Sequence, residues 1–356
     1  MTTLQSGIGY RCEVPTVTQA DADPAATLLR LTDGYRLSQA IYVAATLKVA
    51  DLVSGEPRSA AELAEALGVN EDGLYRLLRV LATVDIFREV EGRRFVASPM
   101  SELLKSDHPG SMRGWAAFIG RPQHWSLSGD LLHSVQTGED AAHHLHGASI
   151  WELRAGEPGE ATVFNEAMAA LWRGVLKAIV EAYDFNRFTR IVDIGGADGR
   201  LIVALLTQHP RPHGVVFDLP KTVAEAREVI EEAGLSGRCE TAQGSYYDGV
   251  PAGGDAYILK SVLHDCSDEQ SREILRNIRQ AMAPGGCVLI IEGIMLPAAS
   301  TARDALSDLN MLIITGGRER ELEEWRTLLA SAGFELTGTT PTTSRFHIIE
   351  ARPATG

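Results

Sequence analysis

Apolar residues recur at helical spacing through residues 25–53, at Leu37, Ile41, Ala44, Ala45 and Leu47 to Val49, and this spacing predicts helix. Gly55 and Pro57 break the pattern. A second helix is predicted over SAAELAEALGV, with Ser59 as N-cap, Glu62 completing a capping box and Gly68 as the stop. A third, EDGLYRLLRVLATVDIF, places Leu74, Leu77, Leu78 and Leu81 on one face. REVEGRR and FVASP then read as short extended pieces around a turn at Gly92. Three helices followed by a two-stranded wing are the order of a winged-helix module.

The next segment is less regular. GWAAFIGRPQHWSLSGDLLHSV reads as helical in its second half, and EDAAHHLHGASIWELRAGEPGE as a loop with a short helical turn. ATVFNEAMAALWRGVLKAIVEAYDF reads as one strong helix, with Phe164, Met168 and Trp172 at i, i+4 and i+8. From residue 189 apolar strands alternate with helices: RIVDIGG, RLIVALLTQHP, GVVFDLP, TVAEAREVIEEAG, RCETAQGS, DAYILKSVLHD, SDEQSREILRNIRQAM and GCVLIIEGIML. Helices over ALSDLNMLIIT and ELEEWRTLLASAG precede the ending FELTGTTPTTSRFHIIEAR. Such alternation predicts a doubly wound parallel α/β sheet with helices on both faces.

Charge narrows the function classes. The formal net charge is −14, and residues 58–105 carry seven basic against eight acidic side chains. A recognition helix opening on Glu71 and Asp72 repels phosphate, so the wing module is expected to be structural or dimerising, with no nucleic-acid partner. No apolar run is long enough for a membrane span. Cys12, Cys239, Cys266 and Cys287 are dispersed without CxxC spacing, which points to a reducing, cytoplasmic setting and no zinc site. His143, His144 and His146 lack a carboxylate at ligand spacing and read as surface residues rather than metal ligands.

The candidate chemistry begins at 191-IVDIGGADGR-200. Gly195, Gly196 and Gly199 follow the first strand of the alternating region and open a helix, where a backbone can approach a ligand. Asp218 ends the next strand, 23 residues after Gly195, at the place of a carboxylate that accepts from ribose hydroxyls. The spacing departs from G-x-G-x-x-G, because Arg200 stands where the third glycine would be. That weakens a pyrophosphate-binding reading.

His264 and Asp265 lie just beyond a buried strand, on the same rim. For a phenolic acceptor with a pKa of about 10, ionisation at neutral pH costs about 4 kcal/mol. A histidine within hydrogen-bond reach takes that proton as attack begins, and it needs an anionic partner to fix its tautomer. Glu319, Glu292 and Asp265 are the available carboxylates.

DIGGADG, FDLP, GSYYDGVPAGGDAYILKSVLHD, APGG and GGRERE occur in the order found in the S-adenosylmethionine (SAM)-dependent small-molecule O-methyltransferases, a family of plant caffeate-type and bacterial natural-product enzymes. The chain resembles that family over residues 20–350, with FNEAM and the N-terminal segment included. The resemblance implies a Rossmann-like α/β catalytic domain and an N-terminal all-α/winged-helix dimerisation domain. The expected division is an arm over 1–20, the dimerisation domain over 21–108, a helical pocket region over 109–183 and the SAM domain over 184–356.

By the same resemblance, Asp193, Gly195 and Gly196 approach the cofactor, and Asp218 with Leu219 holds the ribose. Ser245 and Tyr246 flank the adenine, and Lys260 and Ser261 complete the nucleoside pocket. His264 is the base, with Glu319, Glu292 and Asp265 about it. Phe164, Met168, Trp172 and Met311 line the pocket of an aromatic substrate, and the N-terminal module makes a homodimer. No metal is implied. Ser245 stands where the family often has aspartate, and Cys266 where tryptophan commonly follows His-Asp. Two alternatives remain: a SAM-binding relative with hydroxylase- or decarboxylase-like chemistry, and a non-enzymatic ligand-sensing regulator, which would bind DNA with steep salt dependence.

Overall fold

A computed structural model describes residues 23–53, 55–157, 159–296 and 301–354; the expected N-terminal arm (1–20) and Cys12 lie outside the described residues. The chain divides into two units. One holds residues 1–125, 159–171 and 301–306, and the other holds 126–158, 172–300 and 307–356. The stretch 109–183 is divided between the two units. No helix among the described residues is long and apolar enough to cross a membrane.

In the first unit the helical run over 25–53 is broken into Pro24–Thr32, Gly34–Thr46 and Val49–Leu52. Lys48, at φ +55°, turns the chain before the third piece. Helix Ala60–Leu67 has the expected capping box between Ser59 and Glu62 and ends at Gly68, φ +66°. Helix Glu71–Ala82 buries Leu74, Leu78 and Leu81. Strands β1 (Arg58–Ser59), β2 (Phe87–Val90) and β3 (Arg94–Ala97) form a small sheet in the order β1-β3-β2. Phe87 and Phe95 point from it into a core with Ala45, Leu63 and Leu78. Fully burying one such side chain contributes about 1.5–3 kcal/mol before entropy is counted. Leu28, Leu29, Leu31 and Tyr35, at the start of the unit, remain exposed.

The 113–160 stretch is more helical than its sequence pattern indicates. It forms helices Arg113–Ile119, Pro122–Gly129, Leu131–Thr137, Ala141–His146 and Ile150–Gly156. The last two fall where a loop with one short helical turn is expected. Asp140 caps one, and a Ser149–Glu152 capping box starts the other, so local caps supply what a short apolar period cannot. His143 and His144 pair with Asp140 and Asp130. The helix expected over 161–185 is two, Glu160–Leu171 and Val175–Ala182, parted at Gly174, φ +81°.

The second unit is built on strands β4 (Arg190–Ile194), β5 (His213–Asp218), β6 (Cys239–Gln243), β7 (Ala256–Lys260), β8 (Cys287–Met295), the two-residue β9 (Arg320–Glu321), β10 (Phe334–Pro341) and β11 (Phe346–Pro353). The sheet order is β10-β11-β8-β7-β4-β5-β6, with β9 paired to β8. Neighbours from β8 to β6 are parallel, as expected, but β11 runs antiparallel to β8 and β10 antiparallel to β11. The sheet is therefore mixed. Four residues, 342–345, connect β10 to β11, too few for a parallel crossover of a dozen or more.

Helices cover both faces. Along β7, Ala256 and Ile258 join Leu205 and Phe346 in one core, and Tyr257 and Leu259 join Ile274 and Leu329 in the other. Burial on both faces explains why the central strands read as continuous apolar runs.

Candidate active site

The parallel register puts the carboxyl ends of β4, β5, β7 and β8 on one edge of the sheet. At the end of β4 the chain turns through Gly195 (φ +66°), Ala197 (φ +49°) and Gly199 (φ +75°) into helix Arg200–Gln208. The glycines serve the protein's own packing. A Cβ on Gly195 would lie 2.9 Å from Val262, and one on Gly196 would lie 3.0 Å from both Asp193 Oδ2 and Val216. Ala197 holds a left-handed conformation that costs a non-glycine residue energy, and its N–H donates to Asp218 Oδ2 at 2.9 Å. Leu219 N–H donates to Asp218 Oδ1 at 2.7 Å. Asp218 thereby ties the glycine turn to the end of β5. Burial raises its pKa, against these backbone donors.

Beneath the turn, Asp193 is buried, and its Oδ2 has no hydrogen-bond partner among the described residues. Burial pushes it up to about 7, against the pull of Lys260. Lys260 is pushed down to about 8 by burial; its Nζ lies 4.0 Å from the centre of the Trp172 indole and 5.5 Å from that of Phe346.

After β7, Ser261 takes φ +54° and a single turn carries His264. Glu292, fully buried on β8, accepts from Val262 N–H at 3.0 Å and His264 N–H at 3.4 Å through Oε1. His264 Nδ1 stands 3.4 Å from Glu292 Oε2 and 3.4 Å from Glu319 Oε1, and Nε2 stands 3.9 Å from Asp265 Oδ1. All three carboxylates expected about the histidine are therefore beside it. Burial works against the charged imidazole, but Glu292, Asp265 and Glu319 outweigh it and raise His264 to about 9. Burial likewise raises Glu292 and Asp265, against the pull of His264. Glu319 is the exception. Burial would raise it, yet His264, Arg345 and Ser307 hold it down to about 2.

The segment 316–320 grips the His264 turn. Arg318 N–H donates to His264 carbonyl O at 2.8 Å. Arg320 is buried, with Nη1 donating to Leu263 O at 2.8 Å, Nη2 to Cys266 O at 2.9 Å and Nε to Asp268 Oδ1 at 3.0 Å. Glu319 N–H donates to Asp308 Oδ1, and its Oε1 accepts from Ser307 Oγ and Arg345 Nη2. Ser307, Asp308 and Arg345 were not singled out from the sequence, and Arg320 was seen only as part of GGRERE. Their proximity depends on three distant segments converging, which no local period signals.

Gly317 tests this grip. A Cβ there would lie 2.0 Å from the His264 carbonyl oxygen and 2.7 Å from Asp265 C. Gly317→Ala must displace the His264 turn, and about 10²-fold lower kcat is expected if that turn carries the chemistry. Steady-state kinetics checks this, with cofactor affinity as the control; unchanged kcat contradicts it.

The remaining expected residues are less concentrated. Ser245 Oγ accepts from Tyr247 N–H at 3.3 Å, and the Tyr246 ring meets Tyr247 edge-on at 4.8 Å. Leu219 is exposed at the start of helix Pro220–Glu232. Phe164 and Met168 belong to the first unit, where Phe164 packs edge-on against Phe118 at 5.6 Å. Trp172 does not continue their stripe. The helix ends at Leu171, and Trp172 lies in the second unit against Phe346, at 5.0 Å. Met311 is half-buried on helix Ala302–Thr315. Cys266 is buried, with Sγ 3.7 Å from Tyr247 Oη. His264, Glu292 and Glu319 offer three ligand atoms within 4.8 Å of one another, close enough in principle for a cation.

The chain is similar to known proteins over most of its length. The O-methyltransferase domain family matches residues 129–335, and the O-methyltransferase dimerisation domain matches residues 29–107. Phenazine O-methyltransferase PhzM of Lysobacter antibioticus is 41% identical over 326 residues, 92% of this chain and 95% of its own length. The structure of the mitomycin 7-O-methyltransferase MmcR superposes with a TM-score of 0.88 at 35% identity, covering 93% of this chain and 98% of that one. An O-methyltransferase from neocarzinostatin biosynthesis, solved with SAM and 2-hydroxy-5-methyl naphthoic acid, gives 0.80 at 34% identity, covering 89% and 96%. With a family match over more than half its length and a relative 41% identical over 92% of the chain, the chain belongs to the O-methyltransferase family, and it carries that family's dimerisation domain.

Proposed function

We propose that this enzyme transfers the methyl group of SAM to a phenolic hydroxyl of an aromatic small molecule in cytoplasmic natural-product biosynthesis, with His264 as general base. One observation carries the reading. His264 Nδ1 is lodged against Glu292 and Glu319 on the same sheet edge as the glycine turn and Asp218. Nδ1 is thereby engaged, which leaves Nε2 as the nitrogen to face an acceptor.

The rim suits SAM, a cation-bearing nucleoside. Asp193 offers a buried oxygen with no partner among the described residues, and Asp218 presents its carboxylate beside the glycine turn, held by the Ala197 and Leu219 N–H groups and the Thr222 hydroxyl. In this reading Asp218 and Leu219 hold the ribose, and Ser245, Tyr246, Lys260 and Ser261 surround the nucleoside. Met311 supplies a wall for a flat acceptor, while Trp172 serves through Lys260, whose Nζ lies over its ring. SAM brings a methyl group already on an excellent leaving group. The protein's task is alignment plus removal of one proton, by a base that typically contributes about 10²–10⁴ in rate. The three carboxylate and imidazole groups form an ion-pair cluster rather than a metal site, since Arg345 already supplies Glu319 with a cation. The exposed Leu28, Leu29, Leu31 and Tyr35 suit a homodimer through the dimerisation domain.

The acceptor class follows the relatives, which include a phenazine O-methyltransferase and a dihydroxynaphthoate O-methyltransferase. Incubation with SAM and a panel of phenols is expected to yield S-adenosylhomocysteine and aryl methyl ether in equal amounts. S-adenosylhomocysteine formed with an oxidised or decarboxylated product instead would overturn the reading.

A further inference from the structure

We propose that Arg345 is a positioning residue for the base: its fixed charge shares the Glu319 oxygen that His264 uses, and so limits how firmly the carboxylates hold the imidazole in its charged form. The inference rests on reading His264 as the base.

Three donors converge on Glu319 Oε1: Ser307 Oγ at 2.7 Å, Arg345 Nη2 at 2.9 Å and His264 Nδ1 at 3.4 Å. The guanidinium thus makes the closer charged contact. Its side chain is only 17% exposed, and Nε is buried without a hydrogen-bond partner among the described residues, so water screens its charge weakly. The β10–β11 connection fixes its place. Thr342 and Ser344 hydroxyls bond each other at 2.7 Å and tie the turn to Phe346, whose ring lies 5.1 Å from Arg345 Cζ. Gly293 faces the pair from β8. A Cβ there would stand 3.4 Å from Glu319 Oε2 and 3.9 Å from Arg345 Cζ, so a bare backbone leaves the ion pair its room.

The other charges facing His264 make this compensation necessary. Glu292 approaches from β8 and Asp265 from the same turn. Lys260, from β7, acts on Glu292, and Arg154 acts on Asp265. Glu319 is the carboxylate held most strongly in its ionised form, so without Arg345 its whole charge would act on the imidazole. His264, raised to about 9, is already mostly imidazolium at neutral pH, and only its neutral fraction accepts a proton; each further rise shrinks that fraction in proportion.

Arg345→Gln keeps a donor and removes the charge; Arg345→Lys keeps the charge. In cofactor-free protein with isotope-labelled histidine, the His264 midpoint read by NMR is expected to move alkaline by about one pH unit in R345Q and to stay near wild type in R345K. At saturating SAM, the alkaline-rising limb of the acceptor kcat/KM is expected to move the same way. Activity near neutral pH then falls about tenfold and recovers at high pH. Arg345→Met serves as the second neutral variant should R345Q not fold. An unmoved midpoint, or equal loss of activity at every pH, overturns the proposal. A moved midpoint with an unmoved rate limb shows instead that His264 is not the base.

Discussion

His264→Gln is expected to lower methyl transfer by about 10²–10⁴ while leaving SAM affinity within a factor of a few. The amide can still donate toward Glu319, and Glu292 keeps its bond from Val262 N–H, so the turn retains its anchors. What the variant cannot do is accept a proton. The loss should therefore fall on kcat and should not be recovered by raising pH within the stable range. Removing the imidazolium also leaves Glu292 and Asp265 buried with less compensation, so a lower melting temperature accompanies the change. Turnover within a factor of a few of wild type, in folded protein, would remove the general-base role and leave alignment alone as the source of rate.

Asp218→Ala is expected to weaken SAM binding by at least about 10²-fold. Hydrogen bonds to a charged group contribute about 1.5–3 kcal/mol each, and Asp218 holds the Ala197 and Leu219 N–H groups and the Thr222 hydroxyl before any ligand arrives. Its loss releases Ala197 from the strained conformation that shapes the glycine turn, and removes the acceptor proposed for the ribose. Asp218→Asn, which keeps one acceptor, should fall between. Calorimetric titration separates these outcomes, and an affinity for SAM within threefold of wild type in Asp218→Ala would move the ribose contact elsewhere.

Much of this site was legible because its signals are local. A strand, a glycine turn and an acid at the next strand end follow one another within a short span. His264 likewise follows a strand whose apolar run marks it as central. The reason for the glycines was not legible. Gly195 and Gly196 clear space for Val262, Asp193 and Val216, contacts that exist only once β4, β5 and β7 lie side by side. Trp172 was misplaced because WRG sits inside a strongly helical run, and only the left-handed Gly174 reveals the break. The antiparallel β10–β11 edge hides in a Thr- and Gly-rich ending with weak apolar alternation. Ser307, Asp308, Arg320 and Arg345 escape for one shared reason: their roles arise from tertiary proximity to one histidine.

The central claim is that the rim formed by the glycine turn and Asp218 takes SAM. The most direct test is calorimetric titration of the protein with SAM and, separately, with NAD. We expect one site per chain with micromolar or tighter affinity for SAM and no heat from NAD, in keeping with the missing third glycine at Arg200. Binding of NAD, or of neither ligand, would contradict the account at its root.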